Sequence, residues 1–260
     1  MTPGSLLGIL NHGWVWLLVI LGPLLFFNQR LHLELQAVLY GITRSQEISL
    51  AIFSILLFPG VFLHELSHWL AARLLGIRTG RFSLVPQILP GKKLRLGFVE
   101  MASTDSVREA LVGAAPLLSG TCVVAYISLS HLGVGGLTNT LMYQGVSVFL
   151  QQLAALPGLP DFWIWFYLVF AVSSTMVPSP SDRRGWLPVG LVVVGLVGLA
   201  LLAGAGPWAV EHFGPFLEQV TSGIATILGV CLAVQISLLL PLWMIRTAMS
   251  RGNLIRIASR

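Results

Sequence analysis

The HELSH sequence at positions 64–68 lies within a stretch that is otherwise apolar enough to cross a membrane. Between residues 48 and 76, the only charged side chains are Glu65 and Arg73. Positions i and i+4 share one face of a helix, so both imidazoles can bind one metal ion, and Glu65 is placed to take a proton from a water molecule there. Ionisable groups are costly at membrane depth, so this HExxH pattern indicates a functional site.

The composition of the chain is that of a protein in lipid. Of its 260 residues, 55% are hydrophobic and only 10% are charged, whereas a soluble domain has about 25% charged residues. The net charge of +5 would suit a nucleic-acid partner, but the basic residues lie at the ends of apolar segments. We therefore expect a lipid bilayer, and no nucleic acid, as the surroundings of this chain.

Six apolar segments approach or exceed the roughly 20 residues needed to span the hydrocarbon core. They are residues 6–27, 48–76, 107–131, 162–177, 186–203 and 223–249. Two further stretches, 144–156 and 208–220, are mixed in character and fit either interfacial helices or loops. The sequence therefore predicts an all-α polytopic membrane protein with about six transmembrane helices.

The distribution of basic residues predicts how these six segments are oriented. With the N-terminus inside, the inner stretches contain 13 of the 15 basic residues, and only Arg30 and Arg44 lie outside. This predicts an integral multi-pass protein of a prokaryotic cell membrane with both termini in the cytosol. The HELSH motif then lies toward the cytosolic end of its helix.

A catalytic zinc ion usually has three protein ligands and one open position, so a third ligand is needed beside His64 and His68. Asp182 is the best candidate, because it is on the inner side and follows Pro178 and Pro180, which exclude a regular helix. Irregular backbone at a membrane is tolerated where it lines a polar cavity. The alternative is an interfacial aspartate that is neutralised by the arginines at 183 and 184.

Three patches of the sequence resemble the site-2 proteases, a family of intramembrane zinc metalloproteases. Residues 64–76, HELSHWLAARLLG, are similar to the family's HExxH helix with its following small, basic and glycine residues. Residues 113–120, GAAPLLSG, resemble its Gly-Pro-x-x-Asn element, and residues 178–182, PSPSD, resemble its Pro-x-x-Pro-Leu-Asp-Gly element. The resemblance covers about residues 61–185.

This resemblance implies one Zn²⁺ per chain with His64, His68 and Asp182 as ligands, Glu65 as the catalytic base and a transmembrane protein as the substrate. Ser119 stands where the family has asparagine, and is the candidate to position a substrate carbonyl or oxyanion. Ser181 and Arg183 replace the family's leucine and glycine around the aspartate, which are departures from the pattern.

The resemblance also divides the chain into three parts. Residues 48–185 form the catalytic core, in which the second, third and fourth segments are its three helices. Residues 1–47 contribute an added helix and an outer loop, and residues 186–260 contribute two added helices and a basic cytosolic tail.

The segment between the second and third helices predicts a small membrane-associated β-hairpin at about residues 81–99. Residues 81–85 and 93–99 alternate apolar and other residues, with Leu94, Leu96 and Phe98 on one face, and residues 86–91 form the turn. Our hypothesis is that its edge pairs with an unwound substrate strand. The alternatives are a surface hairpin or a basic loop that binds lipid headgroups.

Two other functions remain open from the sequence. One is a different membrane HExxH metalloprotease, in which Glu100 or Glu109 is the third ligand. The other is a non-catalytic scaffold or transporter with a protease-like core. The presence of Glu65 argues against the second, since a structural metal site does not need a base.

Overall fold

The computed structural model describes residues 12–89 and 93–258, which are mostly helical. The elements follow in the order α1 (Gly13–Thr43), α2 (Gln46–Leu74), β1 (Thr79–Ser83), β2 (Gln87–Leu89), β3 (Lys93–Arg95), β4 (Phe98–Met101), α3 (Ser106–Ser130), α4 (Val134–Tyr143), α5 (Val146–Ala155), α6 (Phe162–Thr175), α7 (Trp186–Leu202) and α8 (Gly206–Ala258). A short 3-10 turn, Leu156–Gly158, follows α5.

Among the described residues, four helices are long and apolar enough to cross a membrane: α1, α2, α3 and the Gly206–Ser250 part of α8. The segment Val146–Gly158 and helix α6 form a pair bent by 101°, which makes a fifth span if the pair is counted as one. This agrees with a helical membrane protein. The predicted count of six spans is not confirmed, because the predicted segment 186–203 forms a helix of only 17 residues.

Helices α1 and α8 are parallel, and they make the most extensive helix pair of the structure. The contacting residues follow the same order along both helices: Gly13 with Glu218, Asn28 with Gln235, Glu34 with Arg246, and Gly41 with Met249. The structure differs here from the predicted topology, in which the first and last spans are antiparallel and both termini are cytosolic. That prediction assumed that every apolar segment crosses the membrane, whereas α7 is a 17-residue helix that packs on the start of α3, around Ser106 and Val107.

Helix α2 packs against both α3 and α6, so the three segments that were predicted as a core lie together. Glycines allow the close approach. A β-carbon at Gly60 of α2 would lie 2.1 Å from the carbonyl oxygen of Ala171 in α6. A β-carbon at Gly120 of α3 would lie 2.6 Å from Cβ of Met176, just beyond α6. Small residues at helix crossings let backbones come close enough for van der Waals packing in lipid.

The four strands form two antiparallel pairs, β1 with β4 and β2 with β3. The predicted hairpin is therefore present in a longer and interrupted form over residues 79–101, and part of its predicted turn is strand β2. The backbone of Leu94 pairs with that of Ile88. The side chain of Leu94 is not among those that the structure describes. Leu96 packs against the apolar core between the helices. The guanidinium of Arg95 lies over the ring of Phe98, with its Cζ 4.4 Å from the ring centroid.

Candidate metal centre

Helix α2 brings the two histidines of the HELSH motif together, as their spacing predicts. The Nε2 atoms of His64 and His68 are 3.1 Å apart. His68 is buried and His64 is partly buried. Both ring nitrogens therefore face the same point at the side of one helix.

Asp182 lies beside this histidine pair. Its Oδ1 is 3.5 Å from Nε2 of His68, and its Oδ2 is 3.8 Å from Nε2 of His64. In the part of the chain that the structure describes, these three residues form the group of metal-ligand side chains whose donor atoms all lie within 4.8 Å of one another. The predicted third ligand thus arrives from a separate segment.

The loop after α6 holds the Asp182 carboxylate in place. The backbone N–H of Ser179 donates to Oδ2 of Asp182 at 2.7 Å, and the N–H of Asp182 donates to the carbonyl of Ser179 at 3.1 Å. Burial alone would raise the pKa of the Asp182 carboxyl, but its contacts with the His68 imidazole and with Ser179 lower it to about 2. The carboxylate is therefore ionised at neutral pH, as a metal ligand must be.

The same loop rests directly on the start of α3. A β-carbon at Gly113 would lie 1.8 Å from the carbonyl oxygen of Asp182, and one at Gly185 would lie 2.5 Å from the carbonyl oxygen of Ser106. These contacts are possible only for glycine. The GAAP part of the second sequence patch therefore supports the loop that carries Asp182 through its backbone.

The Nδ1 atom of His68, which faces away from the cluster, is held by a hydrogen bond to α3. This Nδ1 lies 2.9 Å from the carbonyl oxygen of Val112 on α3, which calls for a proton on Nδ1 and leaves Nε2 free to bind a metal. Among the described residues, Nδ1 of His64 is buried without a hydrogen-bond partner, and the His64 ring lies near the backbone of Thr175 at the end of α6.

The three side chains fit a zinc ion. Four ligands at 2.0–2.1 Å in a tetrahedron are about 3.3 Å from one another. The two Nε2 atoms are 3.1 Å apart, Oδ1 of Asp182 is 3.5 Å from His68 and Oδ2 is 3.8 Å from His64, and one donor atom from each residue gives a group within 4.8 Å. Two imidazoles and one carboxylate are typical ligands of catalytic zinc, and three of them leave a fourth position open.

Glu65 is buried next to the histidines and is covered by the strand segment. A β-carbon at Gly97, between β3 and β4, would lie 2.8 Å from Cγ and 3.1 Å from Oε1 of Glu65. The side chain is only 8% exposed. The absence of a side chain at position 97 is therefore what lets the strand segment approach this carboxylate.

Ser119 does not join the cluster of His64, His68 and Asp182. Its hydroxyl lies 2.6 Å from the hydroxyl of Ser67, which in turn donates to the carbonyl of Leu63 at 2.5 Å. The oxygen of Ser119 is also 3.3 Å from the carbonyl of Pro116. The sequence analysis did not identify Ser67 as a residue that contacts Ser119. Its position within the HELSH motif, one before His68, was the available signal.

Neither glutamate proposed as an alternative ligand lies in the described cluster. Glu100 is exposed on β4, where it accepts the backbone N–H of Arg81 at 3.2 Å and pairs with its side chain at 3.4 Å. Glu109 is in the first turn of α3.

No family model, no curated protein and no solved structure matches this chain. Fold and site together define a helical protein, compatible with a membrane, that carries a candidate metal centre. Its activity has to be argued from that centre.

Proposed function

We propose that this chain is an intramembrane zinc metalloprotease of the site-2 protease type, which hydrolyses peptide bonds of transmembrane protein substrates near the cytosolic side of a membrane. The observation that carries the proposal is the position of Asp182 beside His64 and His68. A carboxylate and two imidazoles are costly to bury together within an apolar bundle, and a cation shared by the three would offset that cost.

His64, His68 and Asp182 would hold the zinc ion, and Glu65 would move the protons. When bound, Zn²⁺ supplies Lewis acidity that polarises a carbonyl and makes a coordinated water more acidic. Glu65 takes the proton of the attacking water and gives it to the leaving amine. Its burial beneath Gly97 keeps bulk water from this carboxylate.

The substrate must be unwound before it is cut, because a helix engages its own carbonyls in hydrogen bonds. We propose that the strands over residues 79–101 accept the unwound substrate as an added strand. Support comes from the contact of Gly97 with Glu65, which brings this segment to the candidate base. Leu94, Leu96 and Phe98 remain our candidates for the residues of this segment that contact the substrate strand. Each described pair of strands has two outer edges at which such a strand would be added.

We also propose a membrane topology with five crossings: α1, α2, α3, the bent segment through α6, and α8. Basic residues mark the end of the bundle where the metal centre lies: Arg73, Arg78, Arg81, Arg95, Arg108, Arg183 and Arg184. The positive-inside rule assigns this end to the cytosol. Because α1 and α8 are parallel, the end of α8 is then on the other side.

Comparison of membrane proteomes tests the proposed activity. Cells that produce the wild type are compared with cells that produce Glu65→Gln, which removes the base and leaves the three ligands. We expect new termini within transmembrane segments only with the wild type, and equal zinc content in both purified proteins.

Glu47→Gln is the matched control, because Glu47 is an exposed acidic residue in the first turn of the same helix. It should cleave like the wild type. Identical processing by the wild type and Glu65→Gln would refute the protease proposal.

A further inference from the structure

Helix α6 ends with a carbonyl group that the helix itself cannot satisfy. The residue four positions after Ser174 is Pro178, which has no N–H to donate. Ser174 is only 2% exposed, so water does not replace the missing donor. A buried carbonyl without a partner would be costly in an apolar bundle.

A side chain from α1 supplies the missing donor. Nδ2 of Asn28 donates to the carbonyl oxygen of Ser174 at 3.3 Å. Asn28 is itself 7% exposed and lies within an apolar stretch of α1. It therefore acts as a C-cap for α6 that comes from another helix.

Helix α8 in turn fixes the orientation of this amide. Nε2 of Gln235 donates to Oδ1 of Asn28 at 3.3 Å, and Gln235 is fully buried. With its oxygen engaged by Gln235, Asn28 has to direct its NH₂ group at Ser174. Buried amides are rare in membrane helices and usually have a functional role.

The capped end of α6 adjoins the metal centre on two sides. Thr175, the next residue, has its backbone near the imidazole of His64, and its hydroxyl would be 2.3 Å from a β-carbon at Gly60 of α2. After Thr175 the chain enters the loop that presents Asp182. Movement of this helix end would therefore displace the loop that carries Asp182 and the backbone that lies beside His64.

We propose that Asn28 is a positioning residue of the metal centre, and that α1 and α8 act on that centre through the Gln235–Asn28–Ser174 hydrogen bonds. This inference rests on the proposed function in that the three ligands are taken to hold a divalent cation. The inference gives α1 and α8 a role in the reaction, in addition to the burial of apolar surface.

Cobalt(II) is the probe, because its visible absorption reports ligand number and geometry. We expect Asn28→Leu to weaken cobalt binding about tenfold, the lower end of the effect of outer-shell changes at metal sites, and to alter the band positions. In the metal-free protein, amide hydrogen exchange should rise in residues 176–184 and stay unchanged in α3.

Gln29→Leu is the matched control, because it makes the same kind of substitution one residue further along α1 at an exposed position. It should match the wild type in affinity, spectrum and exchange. Gln235→Leu should give a smaller effect than Asn28→Leu, and the double variant should equal Asn28→Leu, since Gln235 acts through Asn28.

A wild-type spectrum and affinity in Asn28→Leu would overturn the inference, even if the variant melts earlier. Additive effects in the double variant would overturn the relay through Asn28. If Asn28→Leu does not fold, Gln235→Leu decides by the same readouts. Failure of the wild type to bind cobalt refutes the metal centre itself, which is a separate result.

Discussion

The carbonyl oxygen of Asp182 lies against the α-carbon of Gly113, where any β-carbon would come within 1.8 Å of it. Gly113→Ala must therefore push the ligand loop away from α3 while the histidines on α2 stay in place. We expect zinc affinity to fall at least about tenfold, as measured by competition with a chelating dye.

The control for that variant is Gly198→Ala, in a helix where a β-carbon meets nothing within 4 Å. It should bind zinc like the wild type. Unchanged affinity in Gly113→Ala would show that the loop does not depend on this contact.

Asp182→Ala should abolish stoichiometric zinc binding, because only two ligands remain. Glu100→Ala and Glu109→Ala should retain one zinc ion per chain, measured by elemental analysis of the purified proteins. The opposite pattern would favour the rival metalloprotease with a glutamate ligand.

Ser119→Ala tests whether this hydroxyl acts on the substrate or on the helices. Since it is engaged by Ser67, we expect a loss of stability of about 1 kcal/mol. Cleavage should change by less than about threefold. A loss of 100-fold or more in kcat, the effect of removing an oxyanion donor, would instead assign Ser119 to the oxyanion.

Proline at Gln87 or Arg95, which pair with each other across β2 and β3, should reduce cleavage strongly and leave zinc content unchanged. Proline removes a backbone donor and disrupts a strand. Ser103→Pro, in the exposed coil after β4, is the control and should cleave normally. Full cleavage by both strand variants would exclude strand pairing with the substrate.

The parallel arrangement of α1 and α8 is tested by cross-linking in a background without the native cysteines. Gly41→Cys with Met249→Cys should be joined by a short bifunctional thiol reagent in membranes, because the terminal methyl of Met249 lies beside Gly41. Gly41→Cys with Ser222→Cys should not be joined, as Ser222 lies beside Gly13 at the other end. The reverse result would restore the antiparallel six-span topology.

The local features of the site were predictable from sequence because they follow from helix geometry. Spacing alone places His64 and His68 on one face, and the prolines at 178 and 180 exclude helix before Asp182. The number of spans was less predictable, because hydropathy does not tell which apolar helices pack along the bundle. Helix α7 is as apolar as any segment, yet it is only 17 residues long and packs on the start of α3.

The sequence by itself determined the class of element and the chemistry: apolar helices, an i, i+4 histidine pair and a neighbouring glutamate. These depend on periodicity and side-chain type, which are local properties. Tertiary structure decided that Asp182 reaches the pair, that Ser119 is held by Ser67, and that Asn28 caps α6. Each of these is a contact between distant segments, set by where glycines let backbones approach and where buried polar groups must find partners.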